Sequence, residues 1–118
     1  MDKTQATVRA VNDFLETKDG KAVIFVDSAS SLSALLIHFP DAARLTPTMS
    51  PDDRQANLDR FRTEPACRLL FGSLYVASWG IDLSVADTIF FDSIYKHDPA
   101  LLLQARARVE RVPREWTI

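Results

Sequence analysis

Apolar residues recur along this chain in two alternating patterns, one typical of helices and one typical of buried strands. The N-terminal segment carries four apolar residues at helical spacing: Val8, Val11, Phe14 and Leu15. Asp19-Gly20 would end that helix. Residues 21–26 follow, and after Lys21 they are a continuous apolar run. Such a run is typical of a strand buried on both faces of a parallel sheet.

Capping residues predict where the next two helices begin. Ser30 or Ser31 can cap a second helix, which ends before Pro40. Ser50 followed by Pro51 predicts a third helix, because serine is a good N-cap and proline suits the first helical position.

Three further strands are predicted, near residues 43–46, 67–71 and 87–92. A weak helical pattern covers residues 74–79, and Asp98-Pro99 opens a final helix. Because helices and strands alternate throughout, we predict an α/β domain with a mainly parallel sheet covered by helices on both faces.

Polar residues follow three of the predicted strands, at Asp27-Ser28, Gly72-Ser73 and Asp92-Ser93. The carboxyl ends of parallel strands meet at one edge of the sheet, where ligands bind in such folds. Ser28 and Ser73 are therefore candidates to contact a phosphodiester backbone. Ordinary turn chemistry explains serines at these positions equally well.

The composition fits one globular domain over residues 1–118, with 47% hydrophobic residues. The formal net charge of −2 excludes a global basic field, so any contact with nucleic acid has to be a local patch. A single cysteine and the absence of an apolar leader or a run of ~20 apolar residues lead us to expect a soluble cytoplasmic protein.

Near the C-terminus, Gln104, Arg108 and Arg111 fall at positions i, i+4 and i+7, on one face if the segment is helical. Guanidinium groups grip phosphate oxygens with paired hydrogen bonds, so this face suits a polyanion. A solvated basic helix end is the alternative interpretation of the same residues.

Several catalytic signatures are missing from the sequence. The three glycines form no Walker-type phosphate loop, and no nucleophile elbow accompanies the serines. One cysteine and two distant histidines, His38 and His97, predict no metal site. The chain is poorly equipped to act as a catalyst by itself.

Four segments, in order, resemble motifs of the C-terminal RecA-like domain of superfamily-two helicases and translocases, and the Swi/Snf-type DNA translocases most closely. They are residues 21–28 (motif IV), 49–61, 73–83 (motif V) and 104–111 (motif VI). The resemblance implies a three-layer RecA-like fold with a mainly parallel central sheet of about four or five strands. An N-terminal helix, residues 1–20, would precede a motif-bearing core, residues 21–114.

The resemblance also implies roles by position. Arg108 and Arg111 would act as arginine fingers on the γ-phosphate of ATP, with Gln104 assisting at the same surface. Gly80 and Asp82 would couple that surface to bound nucleic acid.

In the same resemblance, Ser73 would lie near the groove that holds the nucleic-acid backbone. ATP and Mg²⁺ would bind only together with a complementary first RecA-like domain, which carries the Walker A lysine and Walker B acid. The closeness to Swi/Snf-type translocases favours DNA as the nucleic acid.

The sequence departs from the family pattern at several points. Ala107 replaces the usual glycine of motif VI, Trp79 is bulky before Gly80, and Leu74-Tyr75 replaces the usual opening of motif V. The short tail after Arg114 predicts that any closing strand or helix of the family domain is missing.

Two hypotheses follow. In the first, the chain binds nucleic acid and supplies arginine fingers to an ATPase site that a missing or separate first domain completes; the chain alone is then inactive. In the alternative, it is a stand-alone, degenerate helicase-like interaction module that binds and regulates a larger motor protein.

Overall fold

A computed structural model describes residues 3–26, 28–73, 81–92 and 115–117, which contain three helices and five strands. In chain order these are α1 (Lys3–Thr17), β1 (Ala22–Val26), α2 (Ala29–His38), β2 (Ala43–Leu45), α3 (Pro51–Thr63), β3 (Leu69–Ser73), β4 (Thr88–Phe91) and β5 (Glu115–Thr117). The predicted weak helix at 74–79 and the final helix opened by Asp98 lie outside the described residues.

The five strands form one sheet in the order β2-β3-β1-β4-β5, and every neighbouring pair is parallel. This confirms the predicted parallel sheet and its number of strands. β1 lies at the centre, and all five of its residues are buried. Burial on both faces explains why its sequence is a continuous apolar run rather than an alternating one.

Helices cover both faces of the sheet, as predicted. On one face α1 and α2 pack through Val11, Phe14 and Leu35 against a cluster that includes Ile24 of β1. On the other face α3 packs through Leu58 and Phe61 against a second cluster, which includes Phe25 of β1 and Leu83. Adjacent residues of β1 thus point to opposite faces, and the domain has three layers.

The start of α3 confirms its prediction, whereas the start of α2 corrects it. Ser50 caps α3 by accepting a hydrogen bond from the amide of Asp53 at 3.1 Å. The cap of α2 is Ser28, not Ser30 or Ser31, because the chain enters the helix directly from β1 and the Ser28 hydroxyl reaches the amide of Ser31 at 3.1 Å.

Two strand predictions need correction. β3 begins at Leu69, two residues later than predicted, because the amide of Cys67 bonds to the carbonyl of Glu64 and closes the turn after α3. β3 also ends two residues later than predicted, so Ser73 is the last residue of the strand rather than a residue beyond it. The closing strand expected to be missing is present as β5, which pairs with β4.

Arg68 joins the start of β3 to the end of α1. Its guanidinium donates to the carbonyl oxygens of Leu15, Lys18 and Gly20 at 3.1, 2.6 and 3.0 Å, and lies 5.3 Å from the ring centre of Phe14. A cation at this position satisfies carbonyl groups that have no partner within the helix and complements the helix dipole.

We expect Arg68→Ala to lower the free energy of unfolding by about 2–3 kcal/mol, because bonds to a charged donor are lost and Arg68 is only partly exposed. Arg68→Lys should lower the free energy of unfolding less than Arg68→Ala does, because an ammonium can still donate to some of these carbonyls, although it cannot replace the guanidinium fully. Urea unfolding followed by circular dichroism measures both. Arg9→Ala, at an exposed position of α1, is the control; a loss in Arg68→Ala no larger than in this control would contradict the prediction.

Candidate functional site

Ser28, Ser73 and Asp92 lie at the carboxyl edge of the sheet, as the parallel topology predicts. Ser73 pairs with Val26, the last residue of β1, and Ser28 follows two residues later. Asp92 comes directly after β4, and its amide donates to the carbonyl of Phe25 at 2.9 Å. The structure therefore brings together strand ends that are far apart in sequence, while the proposed roles of the two serines stay predictions.

The Ser28 side chain already has a structural task. Its hydroxyl accepts from the Ser31 amide and donates to the Ser31 hydroxyl, both at 3.1 Å. The residue is exposed and the first turn of α2 carries no acidic side chain. A phosphate contact by Ser28 would thus add to the capping role and meet the positive end of the helix dipole.

Asp82 is placed by contacts with α3 and with its own loop. Its carboxylate accepts from the amide of Ser84 at 2.9 Å, closing a tight turn. Its backbone carbonyl accepts from two guanidinium nitrogens of Arg62, at 3.2 and 2.5 Å. Arg62 thus binds Asp82 through its backbone carbonyl, and the coupling role implied for Asp82 stays a prediction.

The remaining predicted site residues, which are Gly80, Gln104, Arg108 and Arg111, lie outside the described residues. Their roles therefore remain expectations from the sequence.

Many basic side chains in the described part of the chain bond to backbone carbonyls. Arg44 contacts Pro40, Lys21 contacts Phe61 and Glu64, and Arg60 contacts Asp41 and Ala42; Arg62 and Arg68 act similarly at Asp82 and at the end of α1. These cations hold helix ends and loops in place. Counting arginines in the sequence therefore overstates the positive surface available to a polyanion.

Asp92 was predicted only as a strand-end residue, but it also contacts α1. Asp92 is only 3% exposed, and its carboxylate accepts a hydrogen bond from the Thr7 hydroxyl at 2.7 Å. The two residues are 85 positions apart, and a lone threonine on a helix carries no signal for such a bond. The contact attaches the N-terminal helix to the same edge of the sheet as Ser28 and Ser73.

No three His, Cys, Asp or Glu side chains within the described ranges are arranged to hold a metal ion. Across these ranges, no helix has the length and hydropathy that crossing a bilayer requires.

Comparison with protein families identifies the class to which this fold and site belong. The family described as "Helicase conserved C-terminal domain" matches residues 3–113. The chain therefore belongs to this family, the C-terminal domain of superfamily-two helicases and translocases. The match includes the four segments whose resemblance was noted in the sequence.

A curated relative agrees with this assignment. The chain is 32% identical over 103 residues to human (Homo sapiens) lymphoid-specific helicase, a match that covers 83% of the chain and 12% of that protein. The chain thus spans about an eighth of that relative's length.

Two solved structures share the fold. The C-terminal part of the Fun30 ATPase domain superposes with a TM-score of 0.82 at 22% identity, covering 98% of this chain and 40% of that one. S. cerevisiae Dbp5 bound to RNA and ADP BeF3 gives a TM-score of 0.74 at 18% identity, covering 98% and 30%. The predicted RecA-like α/β fold is confirmed.

Proposed function

We propose that this chain is the second RecA-like half of an ATP-dependent nucleic-acid helicase or translocase. It would bind nucleic acid and supply Arg108 and Arg111 to an ATPase site that a first RecA-like domain completes. The observation that carries the proposal is the match of the helicase family over residues 3–113, a range that contains both arginines.

The chemistry proposed for this chain is stabilisation of charge rather than bond making. A guanidinium stays protonated at every physiological pH and can pair two of its donors with phosphate oxygens. Arg108 and Arg111 would hold the γ-phosphate in this way, and Gln104 would add a neutral hydrogen bond. ATP and Mg²⁺, when bound, supply the transferable phosphoryl group and the cation that offsets its charge.

For nucleic-acid binding we propose the carboxyl edge of the sheet, with Ser28 and Ser73 near the backbone. The support is their shared edge and the positive end of α2 at Ser28. Dbp5, which shares the fold, has been solved with RNA. The resemblance to Swi/Snf-type translocases favours DNA for this chain.

We expect the purified chain to show no ATP hydrolysis above background, with or without DNA, because the sequence lacks a Walker A loop to hold the triphosphate. Adding a first RecA-like domain that carries the Walker motifs should produce DNA-stimulated turnover. Phosphate release measures both. Steady, DNA-stimulated turnover by the chain alone would contradict the proposed division of labour.

The partner can be sought by affinity capture of the tagged chain from its native cell. A captured protein with Walker motifs but no second RecA-like domain supports the completed ATPase. A captured complete helicase whose turnover falls when this chain is added supports the regulatory module instead. DNA affinity that falls steeply with salt marks backbone contacts, since these release counterions.

A further inference from the structure

The turn that begins at Asp82 packs against α3. Leu83 is only 1% exposed within the α3-facing cluster, and Ile81 packs against that cluster.

Arg62 also joins α3 to this turn. Two nitrogens of its guanidinium, Nε and Nη2, converge on the carbonyl oxygen of Asp82 at 3.2 and 2.5 Å. Two donors on one acceptor fix the direction of that carbonyl more strongly than one donor does, and a charged donor strengthens each bond. The Asp82 peptide therefore cannot rotate without breaking both bonds.

The other contacts of this turn complete the arrangement. The Asp82 carboxylate accepts from the amide of Ser84 at 2.9 Å, and the amide of Ala86 bonds to the carbonyl of Leu83 at 3.0 Å. Arg62 thus holds the carbonyl of the residue whose carboxylate organises the turn. Removing Arg62 would free the Asp82 carbonyl and, as a consequence, weaken the hydrogen bond between the Asp82 carboxylate and the Ser84 amide.

We propose that Arg62 is a positioning residue for Asp82 and for the turn that Asp82 begins, residues 82–86. The functional part of this inference rests on the proposed function and on the role that the family resemblance implies for Asp82, which is to couple bound nucleic acid to the ATP-facing surface. The fold does not depend on Arg62, because Leu58 and Phe61 bury the core-facing side of α3.

Amide hydrogen exchange on the whole chain tests the positioning directly. In Arg62→Ala, exchange at the amides of Ser84 and Ala86 should rise about tenfold, the effect expected when a charged hydrogen bond that closes a loop is lost. Arg62→Lys should restore part of the protection, because an ammonium can still donate to the carbonyl.

Arg60→Ala is the matched control. Arg60 lies on the same helix and also bonds to two backbone carbonyls, those of Asp41 and Ala42 at 2.8 and 3.2 Å, but on the side of β2. The Arg60→Ala substitution removes the same charge as Arg62→Ala and should leave amide exchange at Ser84 and Ala86 unchanged. Equal exchange at these amides in both alanine variants would overturn the positioning role.

The completed ATPase separates this inference from the proposed function. With the first RecA-like domain added, Arg62→Ala should lower the DNA-stimulated kcat about tenfold with little change in KM for ATP, and Arg60→Ala should not. Raised exchange with an unchanged stimulated kcat would overturn the coupling role. If the wild-type pair shows no stimulated turnover, the proposed function fails, and the exchange experiment still decides whether Arg62 positions Asp82.

Discussion

Replacing Arg108 by alanine is expected to lower the kcat of the completed ATPase by about 10³–10⁵-fold, the range found for arginine fingers. The reason is electrostatic: in a closed site a fixed guanidinium opposes charge that develops on the γ-phosphate, and alanine leaves that charge unopposed. The loss should appear mainly in kcat, since the contact strengthens in the transition state.

The experiment measures single-turnover hydrolysis by the wild-type and variant chains, each with the same first RecA-like domain and saturating DNA. Arg108→Lys should recover little, because an ammonium cannot make the paired contacts of a guanidinium. Arg106→Ala is the matched control, since in the helix that the sequence predicts for this segment position 106 would lie on the opposite face from Gln104 and Arg108. An unchanged rate in Arg108→Ala would show that Arg108 is structural only.

Replacing Phe61 by alanine is expected to lower the free energy of unfolding by about 3–5 kcal/mol, the cost of truncating a well-packed aromatic side chain. Phe61 is fully buried between α3 and the sheet, and the ammonium of Lys21 lies 5.3 Å from its ring centre. A loss of this size is a large part of the about 5–15 kcal/mol that stabilises a typical domain.

Urea unfolding of the two chains gives the difference in free energy. Ile37→Ala is the matched control, because Ile37 is another large hydrophobic residue but is 78% exposed, so its loss should cost less than about 0.5 kcal/mol. Phe61→Leu should fall between them, since leucine refills part of the space. A cost for Phe61→Ala below that of Phe61→Leu would show that the site collapses around the smaller residue.

Local patterns in the sequence predicted most elements of the fold because their causes are local. Ser50-Pro51 carries both signals of a helix start, and α3 begins at Pro51. The apolar run after Lys21 predicted a strand buried on both faces, and every residue of β1 is buried. The start of α2 was misplaced because three nearby serines offer similar caps, and the one with extended backbone that accepts from the Ser31 amide is Ser28.

Part of the candidate site was predictable from the sequence and part was not. Ser28, Ser73 and Asp92 were predicted to share an edge, because the carboxyl ends of parallel strands meet at one edge of the sheet. The partners of Asp82 and Asp92 were not predictable, because Arg62 and Thr7 belong to elements that only folding brings alongside.

The sequence by itself determined the class of this protein: alternating apolar patterns set an α/β domain, and four ordered motifs set its family, because both are encoded in residue type and spacing. Tertiary structure alone decided the strand order β2-β3-β1-β4-β5 and the place of β5 beside β4. It also decided that Arg62 and Arg68 bond to backbone carbonyls of other elements. These depend on contacts between residues distant in the chain. Such contacts stabilise the protein only after folding has brought the two partners together.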